Sequence, residues 1–540
     1  MPRKLYSYNK FIGLDTVTSP SNMSERFLVE LDGAHVDFRG QIVKGPHFKK
    51  PYLPNNNSER HYNIKHYGAE DRVRYVLRGI GFDGTTNNKS IWARSYQGAV
   101  VQQDMFVSSA TTPLLPISLV NFDQKQFAFM SGHDPYYYNG TAFINAATAT
   151  GNQYSTLAAY PKGGMAVNIL NRLVVAGIPG KPTELHVSEQ GSFVNWRTNT
   201  SSGTTPNPTD GAIIDLKNQF TTNDTIQGLA VLEGDKLVVF GQNETLVYLT
   251  DTNINLWEIA RDFRVPIGIF GRNTAVNVGT DLFFCSRFGM HSLKRAASGL
   301  TLETMTFTRE IQDFYQETIQ RVGAGTFTGP NQNPFREPHA VWDGAIGQYH
   351  VFIPIEPTGI KIKKITFTYD PEAGRSGHKS FSMTSEQNSS FKDVSCGSYF
   401  AVKDADPTQL NTYPSLLVGT MEGYGDGRSF HVDGKMHVRT PLLSQGSPDT
   451  NKYYKRLIIR AVGTADFVVT IFDSENHTLQ QTSVRPENDG FSSTTGLYDA
   501  ETRPINIPIP HRSKSISVQF SCTATGTLRI LDFALVVDIK

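Results

Sequence analysis

The hydrophobic pattern is most regular between residues 228 and 295, where short apolar runs alternate with tight polar turns. Leu229–Leu232, Leu237–Phe240 and Thr245–Leu249 are separated by turns rich in Gly, Asn and Asp, and the same order repeats from Thr274 to Leu293. Runs of four to six β-branched and aromatic residues between such turns are typical of buried strands. Two successive meanders of one design therefore predict a repeated β-sheet module.

Similar runs recur from about residue 63 to residue 433, which predicts a repeat architecture. They are Val76-Leu77, Phe127–Met130, Leu173–Val175, Leu237–Phe240, Leu282–Phe284, Tyr349–Phe352 and Leu416–Val418. Each meander has two apolar faces, and stacking meanders around an axis buries both faces and protects their edges. We predict an all-β fold whose residues 63–434 form a β-propeller of about six to eight blades. Tandem β-sandwiches are the alternative.

Three segments depart from this repeat. Residues 1–62 are expected to form an N-terminal hairpin around Gly40 and an exposed linker. Residues 435–540 contain alternating strands, such as Ser515–Phe520, and predict a C-terminal β-sandwich. Residues 308–322 place Ile311, Phe314, Tyr315 and Ile319 on one face, which predicts a single inserted helix.

Composition supports a multidomain or repeat protein, because single hydrophobic cores stop growing at about 250–300 residues and this chain has 540. Its net charge of +1 indicates neither a nucleic-acid nor a membrane partner. The three cysteines, Cys285, Cys396 and Cys522, lack metal spacing, and Cys285 is expected to be a small buried residue in a strand. We expect no secretory signal and no membrane segment.

Several propeller families are enzymes, so the sequence could contain catalytic residues. Ser188–Gly191 with Trp196 resembles the aspartate-box turn of sialidases, but Gln190 stands where that turn needs a carboxylate, which favours a structural turn. Glycoside hydrolysis requires two carboxylates that flank the bond. No spacing pairs the four candidates, which are Glu184, Glu189, Asp210 and Asp215.

Candidate metal and phosphate sites are equally weak. His133-Asp134 has no further ligand at metal spacing, and Asp426 with Asp433 does not match the EF-hand. The basic clusters Lys44–Lys50 and Lys361–Lys364 are interpreted as solvated strand edges. We therefore predict no catalytic, cofactor-binding or metal-binding residues and no cofactor.

Several stretches, taken together, resemble one protein family. They are LDGAHVDFRGQIVKGP, ELHVSEQGSFVNW, EGDKLVVFGQNETLVYL followed by GIFGRNTAVNVGTDLFFCSRFGMHSL, and KYYKRLIIRA. Their pattern and order are similar to those of the tail nozzle proteins of short-tailed bacteriophages, also called tail tubular or packaged-DNA stabilisation proteins. The most specific match lies within residues 228–295. Longer members of that family carry larger platform insertions than this chain.

The resemblance implies a non-enzymatic virion component that is assembled in the host cytoplasm. Six copies would form a ring below the head–tail connector or adaptor, and genomic DNA would pass through the ring without sequence-specific binding. Loops would contact the connector and the tail fibres, spike or needle. The balanced charge is compatible with a wall that does not hold DNA, because each neutralised phosphate would add affinity.

Two other functions remain open at this point. A receptor- or glycan-binding propeller would use Tyr136–Tyr138 and the polar loops 199–210 and 371–392. A glycosidase would need a carboxylate pair that the sequence does not reveal.

Overall fold

The computed structural model describes most of the chain. The described residues are 3–37, 39–45, 63–67, 75–82, 89–95, 103–108, 117–139, 142–149, 160–198, 207–221, 223–260, 264–294, 306, 308–313, 315–317, 338–344, 347–353, 362–369, 379–385, 394–403, 412–420, 423–427, 435–486, 503–524 and 526–539. The protein is almost entirely built from β-strands, as the sequence predicted. Among the described residues, no helix has the length and apolar character needed to cross a membrane.

The N-terminal segment contributes six short strands. They are β1 (Arg3–Tyr8), β2 (Gly13–Leu14), β3 (Phe27–Leu28), β4 (Glu30–Asp32), β5 (Ala34–Val36) and β6 (Ile42–Lys44). β5 and β6 pair antiparallel, and Gly40 lies between them with φ of 77°. The predicted hairpin around Gly40 is therefore confirmed.

Seven successive antiparallel meanders follow, and in each of them every strand pairs with the next strand along the chain. The first four have four strands each. The first meander contains β7 (Asn63–Tyr67), β8 (Tyr75–Phe82), β9 (Lys89–Ser95) and β10 (Gln103–Ser108), and the second contains β11 (Ile117–Phe122), β12 (Lys125–Met130), β13 (Tyr136–Tyr138) and β14 (Phe143–Asn145). The third contains β15 (Met165–Ile169), β16 (Arg172–Ala176), β17 (Glu184–Val187) and β18 (Ala212–Asp215), and the fourth contains β19 (Gly228–Leu232), β20 (Lys236–Phe240), β21 (Thr245–Leu249) and β22 (Glu258–Ile259). The fifth meander contains β23 (Val276–Val278), β24 (Asp281–Cys285) and β25 (Met290–Ser292). The sixth contains β26 (His339–Asp343), β27 (Gln348–Phe352), β28 (Ile362–Tyr369) and β29 (Lys379–Ser385), and the seventh contains β30 (Val394–Lys403), β31 (Thr412–Thr420) and β32 (Gly423–Gly427).

The first hairpins of the second and third meanders share one kind of tight turn. Two consecutive residues with positive φ connect β11 to β12, at Asp123 and Gln124, and β15 to β16, at Leu170 and Asn171. Such turns match the right-handed twist of paired strands, which explains why a short polar turn recurs at this point of the repeat.

Neighbouring meanders contact each other through their first strands. β11 lies beside β7, β15 beside β11, β19 beside β15, β23 beside β19, β26 beside β23 and β30 beside β26, while β30 also lies beside β7. Separate apolar clusters fill the spaces between the second and third, third and fourth, and fourth and fifth meanders. The third and fourth sheets are therefore covered by apolar side chains on both faces.

The C-terminal region adds seven longer strands. They are β33 (Met436–Arg439), β34 (Lys452–Gly463), β35 (Phe467–Asp473), β36 (Thr478–Val484), β37 (Ile505–Ser513), β38 (Ile516–Cys522) and β39 (Leu528–Ile539). One six-stranded sheet has the order β37-β34-β39-β6-β5, with β1 also paired to β39. A second group, β4-β33-β38-β35-β36, continues the sheet of β26–β29 through a parallel contact between β29 and β4.

Strand pairing thus joins the two ends of the chain, which were predicted from the sequence as separate segments. The two terminal sheets enclose one apolar cluster that extends into the fifth and sixth meanders. Phe533 belongs to this cluster and stacks on Tyr8 and Phe11, with ring centroids 4.9 and 5.9 Å away. The N-terminal strands therefore complete a core that the C-terminal strands cannot close alone.

Three 3-10 helices are described, at Ala146–Thr148, Ile254–Leu256 and Arg309–Ile311. The last begins a helical stretch that includes residues 312, 313 and 315–317, where the inserted helix was predicted, and residues 318–322 lie outside the described part. Ile311 and Tyr315 are buried in the terminal core. Their shared apolar face explains why the helix interrupts the strand pattern here.

Candidate functional site

The structure brings two of the four candidate carboxylates together at the outer edge of the third meander. Glu184 on β17 lies directly opposite Asp215 on β18 in the antiparallel register. His186, two residues along β17, shares the face of Glu184, because side chains alternate along a strand. This group is the richest cluster of titratable side chains among the candidates. No sequence spacing predicted it, since 31 positions separate its two carboxylates.

Each carboxylate in this cluster is held by local donors. The Glu184 carboxylate lies 2.8 Å from Lys181 Nζ and 2.8 Å from His186 Nε2. Burial raises the pKa of Glu184, but the hydrogen bonds from Lys181 and His186 outweigh it, and the pKa stays below its usual value. Hydrogen bonds from the Thr183 hydroxyl and the Lys217 amide lower the pKa of Asp215.

His186 is buried and its imidazole is neutral near pH 7. Burial lowers the pKa of this ring, although its hydrogen bond to Glu184 opposes the effect. Retaining and inverting glycosidases both need one carboxylic acid with a raised pKa. Both carboxyl pKa values are lowered here, so neither side chain has the raised pKa of a glycosidase acid.

The turn at Ser188–Gly191, which resembles an aspartate box but lacks its carboxylate, is held by hydrogen bonds and packing within the fold. The Ser188 hydroxyl accepts a hydrogen bond from the Leu173 amide at 2.9 Å. Trp196 is buried, donates its indole N–H to the Phe193 carbonyl at 3.0 Å and packs against Tyr160. These side chains fix a turn and present no reactive group to solvent.

The other two carboxylates also have partners in this region. Glu189 forms an ion pair with Arg197 at 3.4 Å. The Asp210 carboxylate accepts a hydrogen bond from the Asn207 amide at 2.9 Å and is buried. Both side chains therefore orient the described parts of the segment between β17 and β18, which are residues 188–198 and 207–211.

The remaining candidates are divided between described and undescribed residues. Asp134 pairs with Lys162 at 2.9 Å, and no group of three metal-ligating side chains occurs in the described part of the chain. Tyr137 and Tyr138 are buried, so only Tyr136 of that triplet is partly exposed. Outside the described residues lie Asp433, Lys361, residues 46–50, and the loop residues 199–206, 371–378 and 386–392, while the side chains of Asp426, Lys363 and Lys364 are not described.

Lys44 corrects one interpretation of the sequence. It was expected on a solvated strand edge, but it is buried at the end of β6. Its ammonium group donates hydrogen bonds to the carbonyls of Ala524 at 2.6 Å and Gly526 at 3.2 Å. Because the loop between β38 and β39 supplies acceptors, the charge is stabilised inside the protein.

Two further buried cations bind backbone carbonyls, and no pattern in the sequence predicted the burial of either. Arg172 on β16 is 0% exposed and donates to four carbonyls from three loop segments. Lys452 on β34 donates to the carbonyls of Ser447, Thr450 and Lys514. In the sequence both look like ordinary surface cations at a strand end. Their role is to hold loops together, since backbone carbonyls are strong obligatory acceptors.

Cys285 is buried and free, as its strand predicted. Its Sγ lies 3.7 Å from Tyr349 Oη, which donates to the Thr274 carbonyl at 2.6 Å. Burial raises the pKa of the Cys285 thiol to about 11. A protonated thiol without solvent access is a poor nucleophile, so this cysteine has a packing role.

Comparison with known proteins does not identify a family. No family model matches the chain, and no curated protein matches it. Among solved structures, the extracellular domain of a one-component system from B. thetaiotaomicron aligns with a TM-score of 0.39 and 9% identity, over 86% of this chain and 48% of that one. Sqt1 of Saccharomyces cerevisiae aligns with a TM-score of 0.36 and 9% identity, over 71% and 98%. Scores this low carry no functional argument.

Proposed function

We propose that this protein is a structural component of a short-tailed phage tail, a nozzle protein that forms a ring around the DNA-exit channel. The proposal rests on the sequence resemblance, which is most specific in residues 228–295. The order of the strands there supports it, because the predicted apolar runs and turns correspond to β19–β21 and β23–β25 and follow one another in the predicted order. In this role the ring extends the channel below the head–tail connector and retains or conducts the genome.

A seven-bladed propeller is the architecture that we propose for residues 63–434. Seven consecutive meanders and the contact of β30 with β7 support a closed circle of sheets. Closing the circle would bury both faces of every sheet and leave only short edges exposed. The two terminal sheets would form a β-sandwich whose strands come from both chain ends and which packs against the fifth and sixth meanders.

A non-enzymatic role agrees with the pKa shifts of the candidate side chains. Glu184 and Asp215 both have lowered pKa values, and Cys285 has a raised one. The alternative role in receptor or glycan binding loses its main support, because two of the three tyrosines that suggested it are buried. We expect the channel-facing loops to be neutral or acidic, since a continuous Lys/Arg lining would hold DNA by counterion release.

Native mass measurement of the full-length protein, alone and with its connector ring, tests the proposal. A complex that contains six copies of this chain is the expected result. A monomer in the presence of the connector would contradict it. A glycan array with reproducible hits, together with a monomer, would support the receptor-binding alternative instead.

A further inference from the structure

The outer side of the six-stranded terminal sheet carries a contiguous apolar strip. The strand register places Leu5 on β1 opposite Val536 on β39, and Val536 opposite Arg456 on β34. Two residues before Val536 on β39, Ala534 lies opposite Ile458 on β34. Leu5 is 61% exposed, and Val536 and Ile458 are partly exposed. Large apolar side chains that adjoin one another on a surface mark interaction sites.

Arginine side chains surround this strip, and few acidic side chains neutralise their charge. Arg3, Arg456 and Arg512 are exposed on the same side of the sheet. On β1, β34, β37 and β39 the acidic residues are Asp532 and Asp538, and these pair with Arg460 and Lys455. The strip therefore keeps a positive border. We call this surface the basic face and define it by Arg3, Leu5, Arg456, Ile458, Arg512 and Val536.

A second surface has the opposite charge and lies at the outer edge of the fourth meander. We call it the acidic rim and define it by Asp235, Leu249, Asp251, Leu256 and Glu258. Leu249 on β21 lies opposite Glu258 on β22, and all five residues are exposed. Leu256 is 58% exposed and Leu249 is 38% exposed.

The acidic rim is held in a fixed shape by backbone contacts. The Asp235 carbonyl accepts a hydrogen bond from the Thr250 amide at 3.1 Å. The Asp251 carbonyl accepts the indole N–H of Trp257 at 2.7 Å. Lys236, the cation beside the rim, is engaged by Asp235 and Glu233. Asp251 and Glu258 thus present carboxylates beside two leucines without needing to reorganise, which lowers the cost of binding.

We infer that the basic face of one copy binds the acidic rim of the next copy, so that the contact is head-to-tail. Protein interfaces have apolar centres and polar borders, and opposite charges face each other across them. These two surfaces have that layout and carry opposite charges. Because the two patches differ, the contact is heterologous, and contacts of this type generate closed rings or filaments. The inference rests on the proposed ring and names the surfaces that build it.

A nucleic-acid partner fits the basic face less well. Phosphates would satisfy Arg3, Arg456 and Arg512, but they would leave Leu5 and Ile458 in water. A second copy supplies both carboxylates and apolar side chains. It also gives the acidic rim a partner, which nucleic acid cannot do.

Charge reversal on each surface provides the test in the full-length protein. Arg456→Glu and Glu258→Arg each place like charges in the contact, and each should raise the concentration for half-assembly at least about 10-fold in sedimentation velocity. The double variant restores opposite charges and should return to within about 3-fold of the wild type. Arg485→Glu is the matched control, because Arg485 is exposed at the end of β36, outside both surfaces. Circular dichroism checks that all variants fold.

The outcomes separate this inference from the proposed function. If Arg456→Glu assembles as Arg485→Glu does, the inference is wrong while the ring remains possible. If both single variants fail to assemble and the double variant does not recover, the two surfaces are not partners. If Arg456→Glu assembles normally but loses binding to a DNA duplex, the basic face is a nucleic-acid site. A wild-type protein that stays monomeric with its connector contradicts the proposed function itself.

Discussion

Replacing Arg172 with methionine tests whether buried cations hold the loops of the third and fourth meanders. The guanidinium donates to the carbonyls of Ser188 at 2.9 Å, Asp210 at 2.7 Å, Pro208 at 2.8 Å and Thr252 at 3.0 Å. The first two contacts are buried, and the other two are partly accessible to water. A buried acceptor without a donor costs about 1–3 kcal/mol, so two of them cost about 2–6 kcal/mol.

Removal of a buried charge returns part of this loss, because the methionine side chain has no desolvation penalty. Burial lowers the pKa of Arg172, yet an arginine side chain stays protonated near pH 7, so the lost group is a cation. We therefore expect a net local destabilisation of about 3 kcal/mol. At about 1.4 kcal/mol per factor of ten, local opening should become about 100-fold more frequent.

Hydrogen exchange measured by mass spectrometry is the direct assay. Peptides that cover residues 207–216 and 250–258 should exchange about 100-fold faster in Arg172→Met, while peptides of the terminal sheets should not change. The exchange rate of these peptides in Arg172→Lys should lie between those of the wild type and Arg172→Met, because an ammonium group has three donors and no planar fork. Arg26→Met is the control, since exposed Arg26 donates to a single carbonyl at 3.2 Å. Equal exchange in Arg172→Met and Arg26→Met would refute the reasoning.

Substitutions at two other sites test the titration and the packing of the core. Burial lowers the pKa of His339 to about 3, so its contribution to stability is present above the unfolded pKa of about 6.5 and is lost as the pH falls. Between pH 7 and pH 5, the free energy of unfolding of the wild type should fall by about 2 kcal/mol more than that of His339→Gln. Denaturant titration at both pH values measures this difference, and equal decreases in the two proteins would contradict the prediction. Gly289→Ala, at φ of 154°, forces a methyl group against the hydroxyls of Thr306 and Thr308 and should cost about 2–4 kcal/mol. Gly279→Ala, at φ of 60° in open space, should cost only about 1–2 kcal/mol, so similar melting temperatures would count against the packing argument.

The strands of the repeat could be predicted because their signal is local. The run Leu237–Phe240 is bounded by turn residues on both sides and lies within β20, and Leu282–Cys285 lies within β24. Glu233 and Gly234 both have positive φ, so the predicted polar turn is also the turn that a twisted hairpin requires. Short-range patterning was sufficient here because each strand pairs with its neighbour along the chain.

The terminal sheets could not be predicted in the same way, because their pairing is long-range. β6 pairs with β39 through Ile42 and Ile530, and no periodicity in either segment specifies a partner so distant. The role of Lys44 was mistaken for a related reason. A lysine at a strand end resembles a solvated residue until the opposing loop, with its carbonyls, is known.

The candidate cluster shows a further limit of sequence reasoning. Glu184 and Asp215 meet only because β17 and β18 pair across a long loop. Their lowered pKa values depend on donors such as Lys181 and Thr183, whose positions follow from the fold. The residue types were visible in the sequence, but their geometry and protonation were not.

Electron-microscopic class averages of the full-length protein assembled with its connector test the central claim most directly. We predict a closed ring of six copies with an open central channel, in which each copy appears as a round lobe of sheets with an attached smaller lobe. Isolated single copies, or closed two-copy particles without a channel, would contradict the proposal that this protein forms the wall of a DNA-exit nozzle.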